Sequence, residues 1–156
     1  MKKIILWLDK HLEESIMLVL LSGIVVIMGV QVFMRYVLKN SLAWPEELTR
    51  YLFIWFVFLG MGYGIRYDIH IRVDLLEVIC PQMKKLLYVI QDLLFLGFCI
   101  FMIRPSINGV MMMVRTGQTS AAMNLPIYYV YISLLAGFIL SIFRFIQKYI
   151  FIFMKK

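Results

Sequence analysis

Two neighbouring carboxylates, Glu46 and Glu47, stand four and three residues before Arg50. On a helix, residues three and four apart share a face, so both acids can address the same guanidinium. Paired carboxylates suit general acid–base chemistry, but no third polar group in the sequence converges on this pair. The spacing instead predicts an ion network at a helix start, or a docking surface. Asp92, with Gln91 beside it, is the one acid well inside an apolar stretch. Acids at membrane depth are costly and mark ion or proton pathways. Asp92 therefore has two readings: a proton- or cation-coupling residue, or an acid satisfied by a structural partner. Its isolation favours the second, as does its place about 10 Å along the helix from Lys85, within reach of Lys84, Lys85 or Tyr88.

Other chemistry is excluded by residue type and spacing. His11 and His70 both lie outside the apolar runs, so a haem held by two embedded histidines has no ligands. Cys80 and Cys99 are separated by about 28 Å of helix, too far to bridge within one chain. No CxxC pair is present, which argues against a disulfide oxidoreductase. The methionines, including Met111 to Met113, suit packing better than metal binding. There is no P-loop, zinc-ligand spacing or nucleophile elbow. Neither a cofactor nor an enzymatic activity is expected.

The elements that must position these residues follow from hydropathy. The chain has 156 residues, 63% of them hydrophobic, with a mean hydropathy of +0.88. No charge occurs from Ser15 through Met34, from Tyr51 through Ile65, from Leu93 through Ile103, or from Thr116 through Phe143. A bilayer core of about 30 Å needs roughly 20 apolar residues per helix. Backbone in that region must satisfy its own hydrogen bonds, and none of the runs alternates as a membrane β-strand would. The fold class is an all-α integral membrane protein, one domain with four transmembrane helices over about 15–34, 45–66, 83–104 and 126–146. The first run is expected to be a retained anchor rather than a cleaved signal.

Local signals refine the helix ends. Pro45 suits a first helical position, and Glu46 and Glu47 then complement the helix dipole. Gly60 and Gly64 form a GxxxG pair that suggests close helix packing. Asp68 to Asp74 alternates, but His70, Asp74 and Glu77 share one helical face while Ile71, Leu75 and Val78 share another. This predicts a short amphipathic helix at the membrane surface. Pro105 is expected to kink or end the third helix, with Asn124 capping the fourth and Pro126 in its first turn.

The net charge of +7 comes from basic residues at segment ends. It reads as a set of topology signals and contacts to anionic membrane lipids, not as a nucleic-acid surface. Eleven Lys and Arg fall on the side of the two termini and five on the other. The positive-inside rule then places both termini in the cytoplasm.

Two stretches together resemble a known family. Ser41-Leu42-Ala43-Trp44-Pro45-Glu46-Glu47-Leu48-Thr49-Arg50-Tyr51 leads through Phe58-Leu59-Gly60 to His70-Ile71-Arg72-Val73-Asp74-Leu75-Leu76. Gly117-Gln118-Thr119-Ser120 then precedes Leu125-Pro126 and an aromatic pair. This is similar to the small membrane subunit of tripartite ATP-independent periplasmic (TRAP) transporters, over nearly the whole chain. Ala121-Ala122-Met123 stands where the family often has Pro and Leu, and Tyr128-Tyr129 where it often has Trp.

The resemblance implies an accessory role in a bacterial inner membrane. Its partners would be a large multi-span subunit carrying the sodium and solute sites, and a periplasmic solute-binding protein delivering an organic acid. The small subunit would brace the large one and help dock the binding protein. Trp44, His70, Arg72, Asp74, Gly117, Gln118, Ser120 and Pro126 are its family-motif residues. The alternative is a stand-alone small proton-coupled transporter using Asp92. An exporter of that kind would want an acid in its first helix, and Ser15 to Met34 contains none.

Overall fold

The computed structural model describes residues 2–40, 42–67 and 84–154. These contain four helices: α1 Lys2–Tyr36, α2 Trp44–Arg66, α3 Lys84–Thr116 and α4 Tyr128–Met154. Each includes a stretch long and apolar enough to cross a membrane. The amphipathic helix expected over 68–83 lies outside the described residues, as do His70, Arg72 and Asp74.

The helices outrun the uncharged stretches that announced them. α1 takes in most of the basic lead without a break, because nothing in that lead terminates a helix. α3 has 33 residues, with Pro105 inside it, so of the two expected outcomes, a kink or an end, the helix does not end there. Proline removes one backbone bond, but at membrane depth neighbouring hydroxyls can serve freed carbonyls and the helix has no water to unravel into. The carbonyl that Pro105 leaves without its helical donor is that of Phe101, and next to it Ser106 Oγ donates to the Met102 carbonyl at 2.7 Å. α3 ends where Gly117 takes φ +61° and its N–H returns to the Met113 carbonyl at 3.1 Å. Glycine adopts that left-handed conformation without a Cβ penalty. α2 begins as expected, with Ala43 before the helix and Pro45 in its first turn. α4 begins at Tyr128, later than expected. Asn124 is not its cap but a loop residue with φ 55°.

α4 packs against both α2 and α3, while α1 packs against α2, giving the order α1–α2–α4–α3. Aromatic edges tie three of them together. The Phe138 ring of α4 lies 5.8 Å from Phe58 of α2 and 6.1 Å from Phe98 of α3. Phe95 and Phe145 meet at 5.7 Å. Among the described residues the buried apolar core is small, formed by Ile65, Cys99, Phe138 and Phe145. Leu18, Val19, Val25 and Val26 on α1 and Leu93, Leu94 and Phe101 on α3 stay exposed. Such surface is unfavourable in water and favourable against lipid or another membrane protein. The chain is a multi-pass membrane protein.

Glycines set how closely the helices approach. A Cβ on Gly137 of α4 would lie 2.7 Å from the Phe58 carbonyl oxygen of α2, and one on Gly62 would lie 2.8 Å from Leu140 of α4. Gly60 faces the other way, with Met17 of α1 at 3.4 Å from the same notional atom. α2 therefore receives α1 on its Gly60 side and α4 on its Gly62 side. Of the expected pair, Gly60 packs on α1 and Gly64 is half-buried, while tighter contacts fall on Gly62, on Gly137 and on Gly109 of α3, where a Cβ would lie 2.8 Å from Tyr131 of α4.

Candidate functional site

Two polar clusters stand out, one at each end of the helix array. At the end formed by the α1–α2 and α3–α4 loops, Glu46 Oε1 accepts from Gln31 Nε2 and from Arg35, both at 2.8 Å and both on α1. Glu47 Oε1 accepts from the Tyr51 hydroxyl at 2.7 Å, one turn further along α2. Its other oxygen accepts the Ala122 N–H at 2.9 Å. Arg50, exposed, pairs with neither acid, which corrects the expected triad. A helical pair at this spacing is worth only a few tenths of a kcal/mol, and tertiary donors from α1 and the α3–α4 loop outcompete it.

Ala122 belongs to a compact loop. Ser120 is buried, and its Oγ accepts from the N–H groups of Met123 and Leu125, both at 3.3 Å. Its own N–H donates to the Leu125 carbonyl at 2.8 Å, and Ile127 N–H reaches the Gln118 carbonyl at 3.0 Å. Thr119 and Pro126 form an antiparallel bridge. Gly117, Gln118, Ser120 and Pro126 thus build one turn, and Glu47 holds it to α2. Trp44, at the start of α2, is partly exposed beside this cluster.

At the end carrying both termini, α4 presents two cations one turn apart. Arg144 Nε donates to Glu13 Oε1 on α1 at 2.7 Å, with the side chains only 5% and 6% exposed. Gln147 Oε1 accepts from the same guanidinium. Lys148 Nζ pairs with Asp92 Oδ2 on α3 at 2.8 Å, and the Tyr149 hydroxyl donates to the same oxygen at 3.2 Å. Asp92 therefore has its partner on another helix, while Gln91 is half-buried next to it. With Lys148 and the Tyr149 hydroxyl both on its Oδ2, Asp92 has a structural partner on α4, and the stand-alone transporter is not favoured.

Sequence reasoning missed Gln31, Arg35 and Tyr51 as partners of the two glutamates, and the whole Glu13–Arg144 pair. One signal for the latter existed. Arg144 lies between Phe143 and Phe145, directly after the longest uncharged run, and a cation in such surroundings needs an acid.

A chain with this helix order, with the Glu47-anchored Gly-Gln-x-Ser turn facing the start of α2, can be set beside known proteins. Residues 24–153 match the model for "Tripartite ATP-independent periplasmic transporters, DctQ component". The chain belongs to the DctQ family. Its DctQ match covers the loop-end cluster, Asp92, Arg144 and Lys148, and leaves Glu13 outside. DctQ proteins are components of transporters rather than enzymes, and membership places this multi-pass protein in the inner membrane. The chain is 30% identical over 148 residues to the isethionate TRAP transporter permease protein DctMQ of Oleidesulfovibrio alaskensis, covering 90% of this chain and 23% of that one. It is 32% identical over 111 residues to the C4-dicarboxylate TRAP transporter small permease protein DctQ of Rhodobacter capsulatus, covering 69% and 48%. With the ectoine TRAP transporter small permease protein TeaB of Halomonas elongata it shares 28% identity over 108 residues, covering 69% and 56%. The chain spans about half or less of the length of the first two relatives.

Proposed function

We propose that this chain is the small permease subunit of a sodium-driven TRAP transporter for an organic acid. It braces a large multi-span subunit and helps dock a periplasmic solute-binding protein. The observation carrying this proposal is the DctQ match over residues 24–153. A second observation supports the large partner: the DctMQ relative is a single permease protein of which this chain matches 23%. The exposed apolar faces of α1 and α3 offer surface for such a partner. The relatives' solutes include isethionate, C4-dicarboxylates and sialic acid, which are organic acids, and ectoine, a zwitterion that carries a carboxylate, and a shared acid group supports the solute class. Docking falls to the loop-end cluster, where Arg35, Glu46 and Arg50 are exposed.

The orientation completes the proposal. Both termini are cytoplasmic, and the loop-end cluster faces the periplasm, on the Lys/Arg asymmetry of the loops. Reporter fusions at residue 156 and near Thr116 will give opposite localisation signals. Like signals at both positions would defeat this topology.

The functional test is uptake into vesicles with a sodium gradient, a binding protein and a labelled organic acid. This chain alone will move nothing, and adding it to the large subunit will raise uptake well above that of the large subunit alone. Uptake by this chain alone would overturn the accessory role, and full uptake without it would show it dispensable. Arg35→Glu with Arg50→Glu will lower uptake at limiting binding protein and be rescued by excess. Failure of excess binding protein to rescue would remove the docking role.

A further inference from the structure

On the side of α3 that faces away from α4 stands an arginine at membrane depth. Arg104 is two residues from Ser106 and five from Cys99 and Gly109, about half a turn away in each case. Cys99 and Ser106 are buried, and Gly109 lies against Tyr131 of α4. Arg104 is therefore on the opposite side of the helix, and it is exposed. Gly97, Asn108, Met111 and Arg115 share that side, at helical spacings of three, four and seven residues. All four are exposed as well.

The neighbouring helices fix the depth of Arg104. Phe98 of α3 meets Phe138 of α4 and Gly109 meets Tyr131, so Arg104 lies level with α4 between Tyr131 and Phe138. Phe138 in turn meets Phe58 of α2, and Leu52 of α2 faces Gly23 of α1. The matching stretches, Tyr131 to Phe138, Tyr51 to Phe58 and Met17 to Gly23, contain no charged residue. Along α3 itself, Arg104 is about 18 Å from Thr116 and about 30 Å from Lys84. The third span, expected to end at about 104, instead runs on and carries this arginine into the hydrocarbon layer.

No ion pair or side-chain hydrogen bond reaches Arg104 among the described residues. Glu46 and Glu47 lie at one end of the array and Glu13 and Asp92 at the other, each engaged elsewhere. Charged groups at membrane depth are costly and pair with one another. Lipid phosphate is too distant, because an arginine side chain covers well under half of 18 Å. A second copy packed on this face in the same membrane would bring Arg104 against Arg104 at one depth. The source of charge that fits is a carboxylate on a helix of a different membrane protein.

We infer that the Arg104 side of α3 meets the large permease subunit, and that Arg104 pairs there with an Asp or Glu on one of that subunit's membrane helices. Exposed Leu93, Ile100 and Phe101 surround the pair with apolar contact. Gly97, with nothing within 4 Å of an added Cβ, lets the partner helix come close. Toward the loop end, Asn108, Met111, Met112, Arg115 and Thr116 line a hollow of about 360 Å³ that receives a side chain of the same partner. The partner's identity rests on the function proposed above, whereas the need of Arg104 for a carboxylate does not.

The test co-expresses the tagged full chain with its large subunit and measures how much large subunit is retained on purification in mild detergent. Arg104→Leu will lower retention about tenfold or more, because it strands the partner's carboxylate. Arg104→Lys, which keeps the charge, will retain more than Arg104→Leu. Gly97→Trp, at an open position on the same side, will also lower retention. Arg104→Glu will lose the large subunit and regain it when one membrane-embedded Asp or Glu of that subunit is replaced by Arg. The isolated Arg104→Leu chain will unfold at or above the wild-type temperature, since Arg104 holds nothing in its own chain. A lower unfolding temperature would overturn the inference by giving Arg104 a role inside the chain. Retention of the large subunit by wild type and undiminished by Arg104→Leu and Gly97→Trp would overturn this surface alone. If Arg104→Leu keeps the large subunit but loses bound phosphatidylglycerol, counted by native mass spectrometry, the inference falls in favour of a lipid phosphate. Failure of the wild-type chain itself to retain any large subunit would overturn the accessory role along with it.

Discussion

Arg144→Ala is expected to destabilise the isolated chain by about 3–5 kcal/mol, because it leaves Glu13 buried and uncompensated. The pair is almost wholly removed from solvent, and Glu13 Oε2 has no hydrogen-bond partner among the described residues, so no second donor is in place to take over. The ion pair's net worth is a different quantity. Replacing both residues with apolar ones of similar volume is often neutral or stabilising. The double variant Glu13→Leu/Arg144→Met is therefore expected to recover most of the loss. Equilibrium unfolding of the purified protein in mixed detergent micelles measures both. If the double variant loses as much stability as Arg144→Ala, the cost is packing and not a stranded charge. The same measurement on Arg35→Ala sets the scale. That guanidinium and its partner Glu46 have side chains 45% and 54% exposed, and such pairs contribute about 0–1 kcal/mol.

The second large effect comes from Gly137. A methyl group there would press on the Phe58 backbone, with the carbonyl oxygen at 2.7 Å. Backbone of a packed helix cannot swing aside as a side-chain tip can, so α2 and α4 must separate. Overpacking of this kind costs about 1–3 kcal/mol, and the Phe58–Phe138 edge contact weakens with it. The opposite sign is expected at Gly97, where nothing lies within 4 Å of the added atom. There Gly→Ala should be neutral or stabilising by up to about 1 kcal/mol through helix propensity. Thermal unfolding of Gly137→Ala and Gly97→Ala side by side separates the two effects. Equal midpoints would show that the α2–α4 approach is looser than the structure has it.

These two sites are connected. Gly60 accepts Met17 of α1, and Gly62 accepts Leu140 of α4. Met17 is four residues from Glu13, and Leu140 is four residues from Arg144, so the next turn on each helix carries the pair. By admitting both neighbours, the glycine stretch of α2 brings α1 and α4 close enough for Glu13 to reach Arg144, although both helices pack mainly on α2. Substitution at Gly62 or Gly137 should therefore couple to Arg144, and the two losses should not add.

The sequence by itself determined the four membrane-crossing helices, the start of α2 at Trp44-Pro45 and the resemblance to DctQ proteins. Each of these depends on residues close together in the chain. Run length against bilayer thickness, proline at a first turn and short motifs are all local quantities. Pro105 does not end α3, because a single missing N–H is a small loss where the alternative is unpaired backbone in lipid. Only the tertiary structure decided the polar partners. Glu46 pairs with Arg35 rather than Arg50, Glu47 holds the Ser120 loop through Ala122, Asp92 meets Lys148, and Glu13 meets Arg144. Which polar groups meet across helices depends on each helix's rotation about its axis and its depth beside its neighbours. Close contacts at Gly60, Gly62 and Gly137 set both, and no periodicity along one chain segment encodes them.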